Sequence, residues 1–196
     1  MPNHVTNFIT VDNKMREISN KLHTEKEKDD TEEVYVDFNN IIPEPKELLG
    51  SSHPNKRKKD ETEEEHHERM EVLTIKYGHT SWYEWRKHNW GTKWNAYNSS
   101  VDRDTFEFQT AWSHPFPFVE SLSSTFPTVR FEVKYADEDI GSNIGSYIME
   151  NGDVLEDNTP HGYMKQTKFA CDLLDVDIAM IVMAELEEEL TYETEI

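Results

Sequence analysis

Within Trp90-Gly-Thr-Lys-Trp-Asn-Ala-Tyr97, the side chains of Trp90, Lys93, Trp94, Asn95 and Tyr97 combine stacking rings with an ammonium and an amide. Rings that stack beside a few polar groups suit a small-molecule or peptide binding surface. The same residues also suit a core, with Gly91 turning the chain, the rings packed on a sheet and Asn95 bonded to local backbone. Other candidates for chemistry are weaker. His66 lies three residues after Glu63, and His67 three after Glu64 and four after Glu63, but adjacent helical side chains point about 100° apart and no third ligand follows. Asp137-Glu138-Asp139, and Glu150 with Asp153 around Asn151-Gly152, offer fewer oxygens than a calcium loop requires. Acidic neighbours would raise rather than lower the thiol pKa of Cys171. Ser51 and Ser52 beside His53 are neighbours in sequence, which is not triad geometry. Gly141-Ser-Asn-Ile-Gly145 lacks the lysine of a phosphate loop. No catalytic residue, metal site or cofactor is expected, and the chain reads as a non-enzyme.

The acidic residues are the second chemical feature. The chain carries 40 acidic and 20 basic side chains, a formal charge of −20. Residues 135–196 hold 16 of the acids and only two bases, Lys165 and Lys168, a net of −14, which leaves −6 for residues 1–134. Asp137, Glu138, Asp139, Glu150, Asp153, Asp157, Asp172, Asp175, Glu185, Glu188 and Glu189 are the expected partner-binding set. Gathered on one side, they would make a negative surface that steers basic partners, including proteins whose grooves expect phosphates. The competing reading is solubility. Glu187-Glu188-Glu189 within one helical turn repel one another, an arrangement that costs a few tenths of a kcal/mol per pair.

The elements that must position these residues follow from periodicity. Val5, Ile9 and Val11 alternate in a strand over His4–Val11. Asp12 or Asn13 would cap a short helix carrying Met15, Ile18 and Leu22. Val34–Phe38 reads as a second strand, stopped by Pro43 and Pro45. Residues 50–71, with Lys56-Arg-Lys-Lys59 followed by an acidic run, bury almost nothing and read as an exposed charged insertion. Any helix there would have its basic residues at the wrong, N-terminal end. Ser81 with Glu84 forms a capping-box pattern for a helix to Asn89. Phe106–Trp112 and Val129–Tyr135 alternate as strands, and Pro115 and Pro117 open a helix with Phe118, Val119, Leu122 and Phe126 on one stripe. Asn151-Gly152 marks a hairpin. Phe169, Leu173, Val176, Met180 and Met183 predict an acidic C-terminal helix and tail over 166–196. Two strand–helix–strand halves make a single α+β domain over 1–196. Its predicted fold is a ferredoxin-like split βαβ sandwich with an insertion, an added β-hairpin and a C-terminal helix.

Composition limits the function classes. Twenty-two aromatic residues can supply a modest core. The acidity argues against direct nucleic-acid or membrane-surface binding. One cysteine excludes an internal disulfide and a four-cysteine metal site. The longest apolar run, Ile178–Ala184, is too short to span a bilayer, and the N-terminus lacks a signal pattern.

Met1-Pro-Asn-His-Val-Thr-Asn7, Asp37-Phe-Asn-Asn-Ile-Ile-Pro43, the Trp90–Tyr97 octet, Phe108-Gln-Thr-Ala-Trp-Ser-His-Pro115 and Gly145–Asn151 together resemble the YubB-like family of phage- and plasmid-encoded proteins. That family is described as having a ferredoxin-like domain. The matching strings span about residues 1–155, and the octet is the most specific. The resemblance implies an accessory protein of mobile elements in the bacterial cytoplasm, and carries over no catalytic residue. The charged insertion and the acidic tail depart from the family pattern. With the charge distribution, the expectation is an acidic protein that binds and inhibits a basic, nucleic-acid-handling host defence factor, in its specific form as a DNA mimic. The alternative is a small-molecule or peptide binding module built on the Trp-rich centre.

Overall fold

The computed structural model describes residues 3–24 and 34–183. Its frame is an antiparallel six-stranded sheet. The strands are β1 (His4–Val11), β2 (Tyr97–Asp102), β3 (Thr105–Ala111), β4 (Phe131–Asp137), β5 (Gly145–Glu150) and β6 (Asp153–Asp157), in the order β2-β3-β1-β4-β5-β6. The helices are α1 (Met15–Leu22), α2 (Glu63–Tyr77), α3 (Trp82–Asn89), α4 (Phe116–Thr125) and α5 (Tyr163–Leu174). Four strands and two helices, β1-α1-β2-β3-α4-β4, trace the ferredoxin-like path. β3 and β4 both pair antiparallel with β1, so β3-α4-β4 is a βαβ unit split by β1. The β5–β6 hairpin and α5 are additions after it.

Alternation builds the core. Val5, Ile9 and Val11 share one face with their partners Thr110, Phe106 and Phe131. That face buries Phe106, Phe108, Phe131, Val133 and Met149 under Ile18, Leu22, Phe118, Val119 and Leu122 from α1 and α4. On the opposite face, Ala136 packs with Ile144 and with Ala170 of α5. α5 thus covers the second face near the end of β4.

Several expectations are corrected. Val34–Phe38 is not a strand. Val34 makes one bridge to Thr24, and Asp37 then caps a 3-10 turn, Phe38–Asn40, by accepting from the Asn39 N–H at 2.9 Å. The carboxylate takes the backbone out of strand pairing, while Val36 and Phe38 still enter the core. The second strand of the ferredoxin-like path is instead β2, a polar edge strand broken by a register shift. The segment between α1 and β2 therefore runs far beyond residues 50–71, and it supplies Leu48, Leu73, Trp85 and Trp90 to the core. The basic tetrad lies ahead of α2 rather than inside it. Thr62 and Glu65 close a reciprocal cap, so the first turn carries Glu63, Glu64 and Glu65, favourable to the helix dipole. α1 is capped by neither Asp12 nor Asn13: Asp12 accepts from the Arg130 N–H at 3.1 Å, and Lys14 turns the chain at φ 56°. α5 stops at Leu174 because Asp175 adopts φ 55°. Phe169 and Leu173 pack; the chain is helical again over residues 178–183, but Met180 and Met183 there are exposed.

Candidate functional site

Gly91 decides where the tryptophans go. At φ 85° it reverses the chain after α3, and a Cβ there would stand 2.6 Å from Pro117 Cδ. Trp90, before the reversal, is fully buried. Its Nε1–H donates to the Ile42 carbonyl at 2.9 Å, and its ring meets Phe38 and Trp85 edge-on at 5.7 Å. Arg86 lies 5.0 Å from both the Trp82 and Trp90 rings, and its guanidinium is bonded to Glu44 at 3.0 Å. Past the glycine, Thr92 ties to the Ala111 carbonyl at 2.8 Å. Asn95 Oδ1 accepts from the Phe38 N–H at 2.9 Å, and Asn95 Nδ2 donates to Asp37 at 2.8 Å. Trp90 and Asn95, two of the five expected ligand-binding residues, are therefore spent on folding.

Trp94 faces outward, whereas Lys93 keeps only 9% of its surface exposed, and the two meet a ring that the sequence pattern placed elsewhere. Trp112 reads as the end of an alternating strand, yet β3 stops at Ala111 and Trp112 adopts φ 71°. Its N–H donates to the Asn3 carbonyl at 3.0 Å, and its carbonyl accepts from Asn143 Nδ2 at 3.1 Å. Lys93 Nζ lies 3.3 Å from the Trp112 ring centre and 4.2 Å from that of Trp94. Trp94 is 39% exposed and Trp112 51%. The Lys93 ammonium has no hydrogen bond or ion pair among the described residues, and loss of solvent lowers its pKa. Tyr97 forms the next wall, with its hydroxyl 2.7 Å from His4 Nδ1 and its ring 6.4 Å from that of Trp94. Burial, helped by the Glu138 carboxylate, pushes the Tyr97 phenol up to about 12.

A second polar constellation lies inside. His114 Nδ1 is 2.7 Å from Asn7 Oδ1 and Nε2 is 2.7 Å from the Tyr147 hydroxyl, with the ring stacked 4.0 Å from Tyr135. Asn7 Nδ2 donates to the Val5 and Phe108 carbonyls, so Asn7 Oδ1 must accept from His114 Nδ1–H. Nε2 then accepts from Tyr147. Burial pushes the imidazole down to about 3. With both nitrogens occupied, this neutral histidine locks β1, β5 and the start of α4 together.

The carboxylates of the last third separate into groups. Asp137 is buried, accepting from Asn143 Nδ2 and the Asp139 N–H, both at 3.0 Å. Glu138 accepts from the His4 N–H at 2.9 Å, and Asp139 from Ser142 Oγ at 3.0 Å. Glu150 and Asp153 close the β5–β6 turn at the Phe131 end of β4, six residues from Asp137, roughly 20 Å along the strand. Asp157, level with Tyr147, is held below the usual carboxylate range by Thr159. Asp172 and Asp175 belong to α5 and its C-cap. Among the described carboxylates of this third, Glu156 has the one ion pair, with Arg130 at 2.8 Å. Glu185, Glu188 and Glu189 lie outside the described residues. Cys171 is buried, and burial together with Asp172 and Asp177 raises its thiol pKa. Among the described residues no three metal-ligating side chains converge, and no helix is long and apolar enough to cross a membrane.

Residues 89–190 match the family model described as the ferredoxin-like domain in Api92-like protein. The chain belongs to the Api92-like family. The matched span begins after β1, the strand that sits between β3 and β4. Among solved structures, the chain is similar to the crystal structure of the protein Api92 from Yersinia pseudotuberculosis. The identity is 17% and the TM-score 0.35, over 43% of this chain and 32% of that one. The chain thus spans about a third of that Api92 protein's length. No curated protein matches it.

Proposed function

We propose that this Api92-like protein is a non-catalytic accessory protein of a phage or plasmid that binds a basic, nucleic-acid-handling host protein in the cytoplasm and occupies its phosphate track. The observation that carries this reading is the outer edge of the sheet. All five residues of β6 are exposed, and three of them, Asp153, Glu156 and Asp157, carry charge. Carboxylates outnumber lysines ten to two over residues 135–183. Except for Glu156, those carboxylates have no cationic side-chain partner among the described residues. Such a field raises the encounter rate with basic grooves and competes directly with phosphates. The mobile-element origin rests on the sequence resemblance.

The test is a pulldown from the natural host with the wild-type chain and with the triple variant Asp153→Asn, Glu156→Gln, Asp157→Asn. A partner retained by the wild type, lost by the variant, released by salt and displaced by duplex DNA supports the reading. A partner held equally by both chains, or indifferent to DNA, overturns the mimic.

A further inference from the structure

We propose that Lys93, Trp94 and Trp112 form a binding site for a small monocarboxylate that carries a flat apolar group. Three independent observations lead there. The first is an unfilled donor. Among the described residues the buried side-chain atoms without a partner are Glu44 Oε1 and Thr167 Oγ1, so Lys93 Nζ, also unpaired, still reaches solvent. Two indole faces hold the ammonium, and among the described residues no protein oxygen accepts its N–H groups. An anionic oxygen from outside the chain is the acceptor that suits this largely, but not wholly, desolvated cation.

The second is strain. A bulky residue at φ 71° occupies a region that side chains other than glycine, asparagine and aspartate seldom adopt. Hydrogen bonds to Asn3 and from Asn143 fix Trp112 there, with half its surface left in water. Packing against the Lys93 ammonium explains why one face is covered. It does not explain why the fold adopts a disfavoured backbone to keep the rest of the ring outside. Display of a flat apolar platform does.

The third is the charge of the surroundings, which selects among anions. Glu138 stands beside His4 and Tyr97 at the rim, and the whole chain carries −20. A phosphate or polyanion meets that field with two or more charges. A monocarboxylate meets it with one and recovers contact area from the Trp112 and Trp94 rings. The site and the acidic edge of the sheet are separate, so either stands without the other.

The experiment follows the indole N–H resonances of the full chain by NMR during titration with benzoate, and with N-acetylphenylalanine as a stand-in for a peptide end. Benzyl alcohol, acetate and inorganic phosphate are parallel arms. Saturable shifts of two indole signals are expected with the aromatic carboxylates in the millimolar range, at least about tenfold weaker with the alcohol and with acetate. Tighter binding of N-acetylphenylalanine than of benzoate assigns the natural ligand to a peptide terminus, and the reverse assigns it to a free acid. Lys93→Met should weaken binding about tenfold or more. Trp112→Asn, which tolerates a positive φ, should remove binding while the fold is retained. Equal binding of alcohol and carboxylate, saturation by phosphate at lower concentration, or unchanged affinity in a folded Lys93→Met chain overturns the proposal. So does the absence of any saturable shift.

Discussion

The two sides of Gly91 use the same residue type for opposite ends. On the inner side, Trp85 and Trp90 have their rings among Phe38 and Phe118, and the Trp90 N–H is satisfied by a carbonyl. On the outer side, Trp94 and Trp112 hold a lysine between them and keep much of their surface in water. Only three residues separate Trp90 from Trp94. Tryptophan density therefore says that aromatic area is being used, and the backbone turn says whether it is used for the core or for display.

Four measurements break or sharpen that contrast. Trp90→Ala removes a fully buried ring and should cost about 3–5 kcal/mol in urea unfolding. A loss near that of an exposed ring would dissolve the distinction. His114 extends the inner side into its polar end. Its folded pKa lies near 3, below the ordinary histidine value of 6.5, so the unfolded chain takes up a proton that the folded one refuses. The His114 contribution to wild-type stability should therefore fall as pH drops below about 6.5, by about 1.4 kcal/mol per unit, and be exhausted near pH 3. A His114→Gln chain, compared across the same range, should lack that component, so the gap between the two narrows by about 2–3 kcal/mol from pH 7 to 4.5. Equal slopes would show that the histidine charges in the folded state. Gly91→Ala places a Cβ against Pro117 and keeps a positive φ, and should cost about 2 kcal/mol by thermal unfolding. Trp94→Ala should shift stability by less than about 1 kcal/mol.

The parts of the fold written in alternation were legible. His4–Val11, Phe106–Ala111 and Phe131–Tyr135 alternate because one face of each is buried. Asn151 and Gly152 adopt φ 52° and 82°, the pair of positive values that a two-residue hairpin requires. What escaped were elements decided by tertiary partners. Tyr97–Asp102 is a polar edge strand that exists because β3 lies beside it, whereas Val34–Phe38 has the better pattern but gives its backbone to the Asp37 turn. In the site, Lys93 and Trp94 were visible as residue types. Trp112 was hidden because its role comes from one backbone dihedral, for which the neighbouring Ser113-His114-Pro115 offered no local signal.

The charged outer strand also governs how the molecule meets its own copies. Val154 and Leu155 stand exposed on a strand that has no outer neighbour among the described residues, the arrangement through which sheets join into dimers and fibrils. Asp153, Glu156 and Asp157 beside them set like charges against each other whenever two such edges approach. Acidification below the carboxylate range removes this repulsion and leaves two apolar side chains on an open ladder. The protein should stay dispersed near neutrality and assemble edge to edge in acid, where light scattering would register the change.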